Sequence, residues 1–129
     1  MFEWLRSKKP APLAGAPPVR RHKSYSAASG YVYQYFYEGY RAAGPETEFV
    51  FQASADRKAF FPVSVVLPDA VAAQWEREHR SLNSTERYAV AKLALFQAFD
   101  ERGHPDRMKA QVLVRPADLN AILETLGID

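Results

Sequence analysis

Two runs of alternating apolar residues flank the triplet Asp56-Arg57-Lys58, and together they leave the chain one way to pair them. In the first run, Thr47 to Ala55, Phe49, Phe51 and Ala53 fall on one face and Glu48, Gln52 and Ser54 on the other. In the second, Ala59 to Leu67, Phe61, Val63, Val65 and Leu67 share a face opposite Phe60, Pro62, Ser64 and Val66. Strand side chains alternate with period two, so a slip of one residue would send a whole apolar set to the wrong side. Matching the two apolar faces therefore predicts an antiparallel hairpin with Ala55 opposite Ala59, Ala53 opposite Phe61, Phe51 opposite Val63 and Phe49 opposite Val65. Pro62 lacks a donor N–H, so this strand is expected at an edge, or with the proline where no ladder bond is needed.

A third alternating run precedes them. Gly30 to Tyr40 reads GYVYQYFYEGY, with Tyr31, Tyr33, Tyr35 and Tyr37 at every second position. Neither of its faces is cleanly apolar, because Gln34 and Glu38 share the other side with Val32 and Phe36. The apolar residues of the hairpin, with Leu93, Phe96, Leu119 and Ile122, suffice for one core. The tyrosines are thus expected to leave at least two rings exposed, on a face where amphipathic rings suit a partly wet contact.

After Leu67-Pro68 the period becomes helical. Val71, Ala72 and Trp75 mark a helix from about Asp69 to Arg80. Asn83 and Glu86 have the spacing of a capping box, opening a longer helix to about Glu101 with a wide apolar face. Gly103-His104-Pro105-Asp106 breaks it, Ala110 to Arg115 reads as a short strand, and Pro116 starts a last helix that Gly127 stops. The order β-β-β-α-α-β-α predicts an α+β fold: an antiparallel sheet of three to four strands with helices packed on one face.

The first part of the chain does not belong to this pattern. The run PAPLAGAPPV between Lys9 and Arg20 holds four prolines, and such a segment is extended and solvated rather than core-forming. Residues 1–28 therefore read as a basic, proline-rich flexible tail and 29–129 as a single domain. The net charge of +2 conceals their difference: the tail to Ala27 carries six basic side chains against one acidic, the remainder eleven against fourteen. Phe2, Trp4 and Leu5 beside Arg6, Lys8 and Lys9 suggest weak contact with a membrane surface. No stretch is long and apolar enough to span a bilayer, and Glu3 and Arg6 interrupt the patch that a secretory signal would need, so a cytoplasmic protein is expected.

The absence of cysteine excludes disulfides, thiolate metal sites and thiol catalysis. There is no glycine-rich phosphate loop and no nucleophile elbow. Glu76 and His79 stand three apart on a helix without the second such pair that a di-iron site requires. His104, Asp100 and Asp106 read as solvated turn residues. No catalytic, cofactor or metal residue is assigned and no cofactor is expected. The sequence supports a non-catalytic binding module that recognises a protein partner or itself through Tyr31, Tyr33, Tyr35 and Tyr37, with the basic tail as a tether. One alternative is binding of RNA or single-stranded DNA by the same tyrosines with Arg20, Arg21 and Lys23, since rings stack on unpaired bases. The other is a small enzyme without a recognisable motif.

Overall fold

A computed structural model describes residues 11–129. Five strands form one curled sheet in the order in which they occur along the chain: β1 (Lys23–Ser26), β2 (Val32–Ala43), β3 (Glu46–Ser54), β4 (Phe61–Pro68) and β5 (Val112–Leu113). The helices are α1 (Asp69–Glu78), α2 (Ser84–Glu101) and α3 (Pro116–Leu126), and a short 3₁₀ turn (Pro105–Lys109) leads into β5.

The fold is α+β, with two corrections to the expected sheet. It has five strands rather than three or four, because Lys23-Ser24-Tyr25-Ser26 pairs with β2; three of its four residues are polar, so no apolar alternation announces it. The sheet is also mixed, since β5 runs parallel to β4 at Val65 and Val66. The hairpin register is the one that the alternation dictates, with Ala53 opposite Phe61, Phe51 opposite Val63 and Phe49 opposite Val65. Asp56 closes the turn by accepting from the N–H groups of Lys58 and Ala59 at 2.8 and 3.0 Å, while Arg57 takes the left-handed backbone, φ 65°. Pro62 lies on β4 beyond the two residues that β5 pairs, so it interrupts no second ladder.

The tyrosine strand faces the helices. Tyr35 stands opposite Ala53 and Tyr37 opposite Phe51, and directly paired residues share a face of a sheet. The face that takes Phe51 into the core must therefore take the tyrosines too. Tyr33 and Tyr35 are 0% and 4% exposed, and Tyr31 and Tyr37 pack half-buried at the margin. The expected open face is thus corrected for the middle rings, Tyr33 and Tyr35, which are core residues, while Tyr31 and Tyr37 keep partial exposure. They reach α2 through a seam of ring contacts, Tyr33 on Phe99 at 4.0 Å, Tyr35 edge-on to Phe96 at 5.5 Å and Tyr37 against Tyr88 at 4.6 Å between centroids. Tyr25 of β1 extends the seam by stacking on Phe96 at 4.2 Å.

Trp75 of α1, Leu95 and Phe99 of α2, and Leu119 and Ile122 of α3 join Phe51, Val63 and Val65 in this one core. The Asn83–Glu86 capping box forms, and Gly127, φ 73°, ends α3 with its N–H and that of Ile128 returned to Glu124 and Leu123. Asp100 is a clamp and not a solvated turn residue. Its carboxylate accepts from the Tyr25 hydroxyl and from the Ala28 N–H, both at 2.8 Å, and Ser29 donates to the Phe99 carbonyl at 2.7 Å. The turn between β1 and β2 is thereby fastened to the end of α2.

The Tyr33 hydroxyl is buried and has no hydrogen-bond partner among the described residues, so it carries a desolvation cost that its ring stacking offsets. Tyr33→Phe is expected to leave stability unchanged or to raise it by about 1 kcal/mol, while Tyr33→Ser costs about 3 kcal/mol or more by opening a cavity. Urea unfolding of the two variants checks this; a loss above about 1 kcal/mol in Tyr33→Phe would reveal a role for the hydroxyl.

Candidate functional site

The sequence alternation would place Tyr40 on the face opposite Tyr37. A β-bulge reverses this. Glu38 and Gly39 together oppose Val50, so that Tyr37 pairs with Phe51 and Tyr40 with Phe49 on the same face. Gly39 is required there for two reasons: its φ is 126°, and a Cβ would stand 2.5 Å from the Ala14 carbonyl oxygen. That approach arises because Ala14 exchanges both backbone hydrogen bonds with Tyr40, at 2.8 and 2.9 Å. Residues 11–22 are accordingly an extended strap along the edge of β2, without helix, as the prolines predict.

Under the strap lies a groove of about 670 Å³ lined by Gly15 and Pro17, Tyr37 and Tyr40, Thr47 and Phe49, and Ser84, Thr85, Arg87 and Tyr88 at the start of α2. Each wall has its own cause. Gly15, φ 71°, lies flat on the Tyr40 ring, where a Cβ would come within 2.8 Å of a ring carbon. Tyr88 is brought up by the capping box, which fixes where α2 begins. Arg87 is committed to structure, donating to Glu76 at 3.1 Å and to the Leu82 carbonyl at 3.4 Å. The remaining polar capacity is phenolic and hydroxylic, set among aromatic walls. Burial pushes the Tyr88 phenol up; burial, then Tyr88 and Tyr40, push that of Tyr37 up. These rings stay neutral at ordinary pH, as hydrogen-bond donors.

A smaller cavity of about 290 Å³ continues from the groove past Pro17, Pro18 and Val19 to Arg21, Lys23, Tyr35, Tyr37 and Tyr88. The basic cluster does not act as one patch, because extended backbone sends its alternate members to opposite sides. Arg20 and His22 cover Phe36 on the far face of the sheet, the guanidinium 4.5 Å above the ring and the imidazole stacked at 4.8 Å; Arg20 also stands 3.8 Å from Glu38. Arg21 and Lys23 turn to the tyrosine side. Lys92 stands nearby with its ammonium 5.8 Å from the centre of the Phe96 ring, and burial first, then Lys23, lowers its pKa.

Of the residues singled out from sequence, Tyr37, Arg21 and Lys23 come together around these cavities. Tyr35 contributes from the core, and Tyr33 and Tyr31 do not line them. Tyr31 instead lies edge-on to His104 at 6.1 Å, whose Nδ1 accepts from the Asp106 N–H. Tyr40, Tyr88 and Phe49 were missed as site residues; Gly39 inside a strand pattern is the signal that a bulge re-aims Tyr40. Glu76 and His79 do not converge, since Glu76 holds Leu82 and Arg87 while His79 stacks on Trp75 at 4.2 Å. Among the described residues no three His, Cys, Asp or Glu side chains gather as a metal site, and no helix is long and apolar enough to cross a membrane. Phe2, Trp4 and Leu5, with Arg6, Lys8 and Lys9, lie outside the described residues. No protein-family model, curated protein or solved structure matches the chain.

Burial, and secondarily Tyr88, push the Tyr35 phenol from the usual 10.0 up to about 12. Above the ordinary value the unfolded chain releases protons that the folded chain keeps, so stability is complete below about pH 10 and falls as pH rises through about 12. Urea midpoints across this range are expected to decline, and less steeply in Tyr35→Phe. An identical decline in the variant would show that the phenol titrates normally.

Proposed function

We propose that the protein is a non-catalytic binding module that holds an extended segment of a protein partner in the groove formed by Tyr37, Tyr40, Phe49 and Tyr88. The observation that carries this reading is the convergence of three tyrosines, from two places in the sequence, on one groove. Tyrosine supplies a large contact area at low entropic cost together with a hydroxyl donor, which is why it is enriched where proteins meet. The tyrosine-bearing strand remains the recognition element of this reading, through Tyr37 and Tyr40 at its far end. Tyr33 and Tyr35 support it from below.

A photo-crosslinking amino acid placed at Tyr40, which is 38% exposed, tests the reading in extract of the source cells. A discrete protein adduct is expected from this position, weakened at least several-fold by Tyr88→Leu and absent when the probe replaces Glu124 on the exposed side of α3. Equal adducts from both positions would remove the groove as the site.

A second reading is favoured by one observation, that Arg21 and Lys23 line the cavity continuous with the tyrosine groove while no carboxylate among the described residues lies within ion-pairing distance of either. Single-stranded RNA binds such a combination of cations and rings. On that reading, binding weakens steeply as salt rises, and Arg21→Gln with Lys23→Gln flattens the slope of log K against log salt by about 1 to 2. No measurable binding at low salt would eliminate it.

A further inference from the structure

The strap shows in cis what chemistry the groove accepts. Its residues Pro12 to Pro18, PLAGAPP, form neither helix nor continuous strand, and all of them except Leu13 are exposed. Little apolar burial therefore holds the segment down. What holds it is local: the Ala14–Tyr40 bridge, the donation from Arg41 to the Ala11 carbonyl at 3.2 Å, and the fit of Gly15 against the Tyr40 ring. Pro17 is the central contact, because it and Tyr37 together line the main groove, the 290 Å³ cavity and a further cavity of about 200 Å³ bounded by Leu13 and Glu38.

Extended proline-containing backbone has no internal hydrogen bonds and is already ordered before it binds, so it loses little entropy on docking. Its carbonyl oxygens need donors and its rings need flat apolar partners. Tyrosine provides both. The groove has room beyond the strap, since about 670 Å³ remains between Pro17 and the first turn of α2 with the strap in place.

Building on the protein-binding reading above, we infer that the groove is a receptor for proline-rich extended segments, that residues 12–18 are its resident ligand in cis, and that a proline-rich segment of another protein enters by displacing them. The tether gives the resident segment an effective concentration on the order of millimolar. A competing segment therefore meets a reduced apparent affinity until the strap is released. Gly15 is the point at which release can be imposed while every side chain that lines the groove is kept, because any side chain there meets the Tyr40 ring and must also adopt φ 71°.

The test uses the full chain, wild type and Gly15→Val, with the synthetic peptide PAPLAGAPPV as probe and the same peptide with its four prolines replaced by alanine as control. Both chains should give the same dispersed amide spectrum outside the strap, which verifies folding. In Gly15→Val the probe is expected to shift the ring signals of Tyr37, Tyr40 and Tyr88 saturably, at least tenfold more tightly than in wild type and at least tenfold more tightly than the alanine control. The inference is overturned if a folded Gly15→Val chain shows no saturable shift, if the control binds as well as the probe, or if wild type and variant bind the probe equally. Concentration-dependent self-association of the wild-type chain through the same tyrosines would also overturn it, by assigning the groove to a second copy. Persistence of the Tyr40 crosslink when the peptide fails would leave the protein-binding reading standing and reject only the ligand class.

Discussion

Everything else in the structure is arranged around the ring seam between β2 and α2. Tyr25, Tyr33, Tyr35 and Tyr37 from the sheet meet Tyr88, Phe96 and Phe99 from the helix. Rings of this size keep the helix backbone well away from the strand, so the space between them is filled by aromatic bodies whose polar ends must emerge somewhere. At Tyr25 the hydroxyl emerges onto Asp100. At Tyr33 it has no partner among the described residues. Toward Tyr37 and Tyr88 the seam opens into the groove, which is the unfinished end of the core. That is why three of its four aromatic walls also belong to the buried cluster or pack against it.

How much of this was legible depends on whether the determining contact is local. The β3–β4 register was readable because two alternating runs lie either side of a three-residue turn, and a wrong register would send the whole apolar set of one strand to the wrong face. The capping box and the final glycine were readable for the same reason, each being settled within four residues. Strand β1 was not, since KSYS is recruited by pairing with β2 and not by an apolar pattern of its own. Nor was the clamp at Asp100, whose partners lie 72 and 75 residues earlier.

The candidate site was less legible than the fold, because two departures from simple alternation create it. One is the bulge at Gly39, which moves Tyr40 to the face of Tyr37. The other is alternation operating where the sequence suggested a patch, in Arg20 to Lys23, so that Arg20 and His22 serve Phe36 while Arg21 and Lys23 face the tyrosines. The tyrosine row itself was conspicuous but ambiguous, as Gln34 and Glu38 spoiled one face and the hydroxyls the other. Its pairing partners Ala53 and Phe51 resolve it, and those residues lie beyond the next turn.

The composition of the strap follows from the edge that it covers. Beyond the reach of β1, the outer edge of β2 would present unpaired backbone groups, and an open edge invites pairing with another chain. Ala14 takes up both groups of Tyr40, but a strand continuing in either direction would merely move the open edge outward. Pro12, Pro17 and Pro18 prevent this because they have no N–H to offer. The strap therefore terminates the sheet, and for the same reason it cannot be held by a ladder of hydrogen bonds. A segment that closes an edge by lacking donors is necessarily held at few points, among the described residues two bonds at Ala14 and one at Ala11. Such a closure protects the edge without extending the sheet.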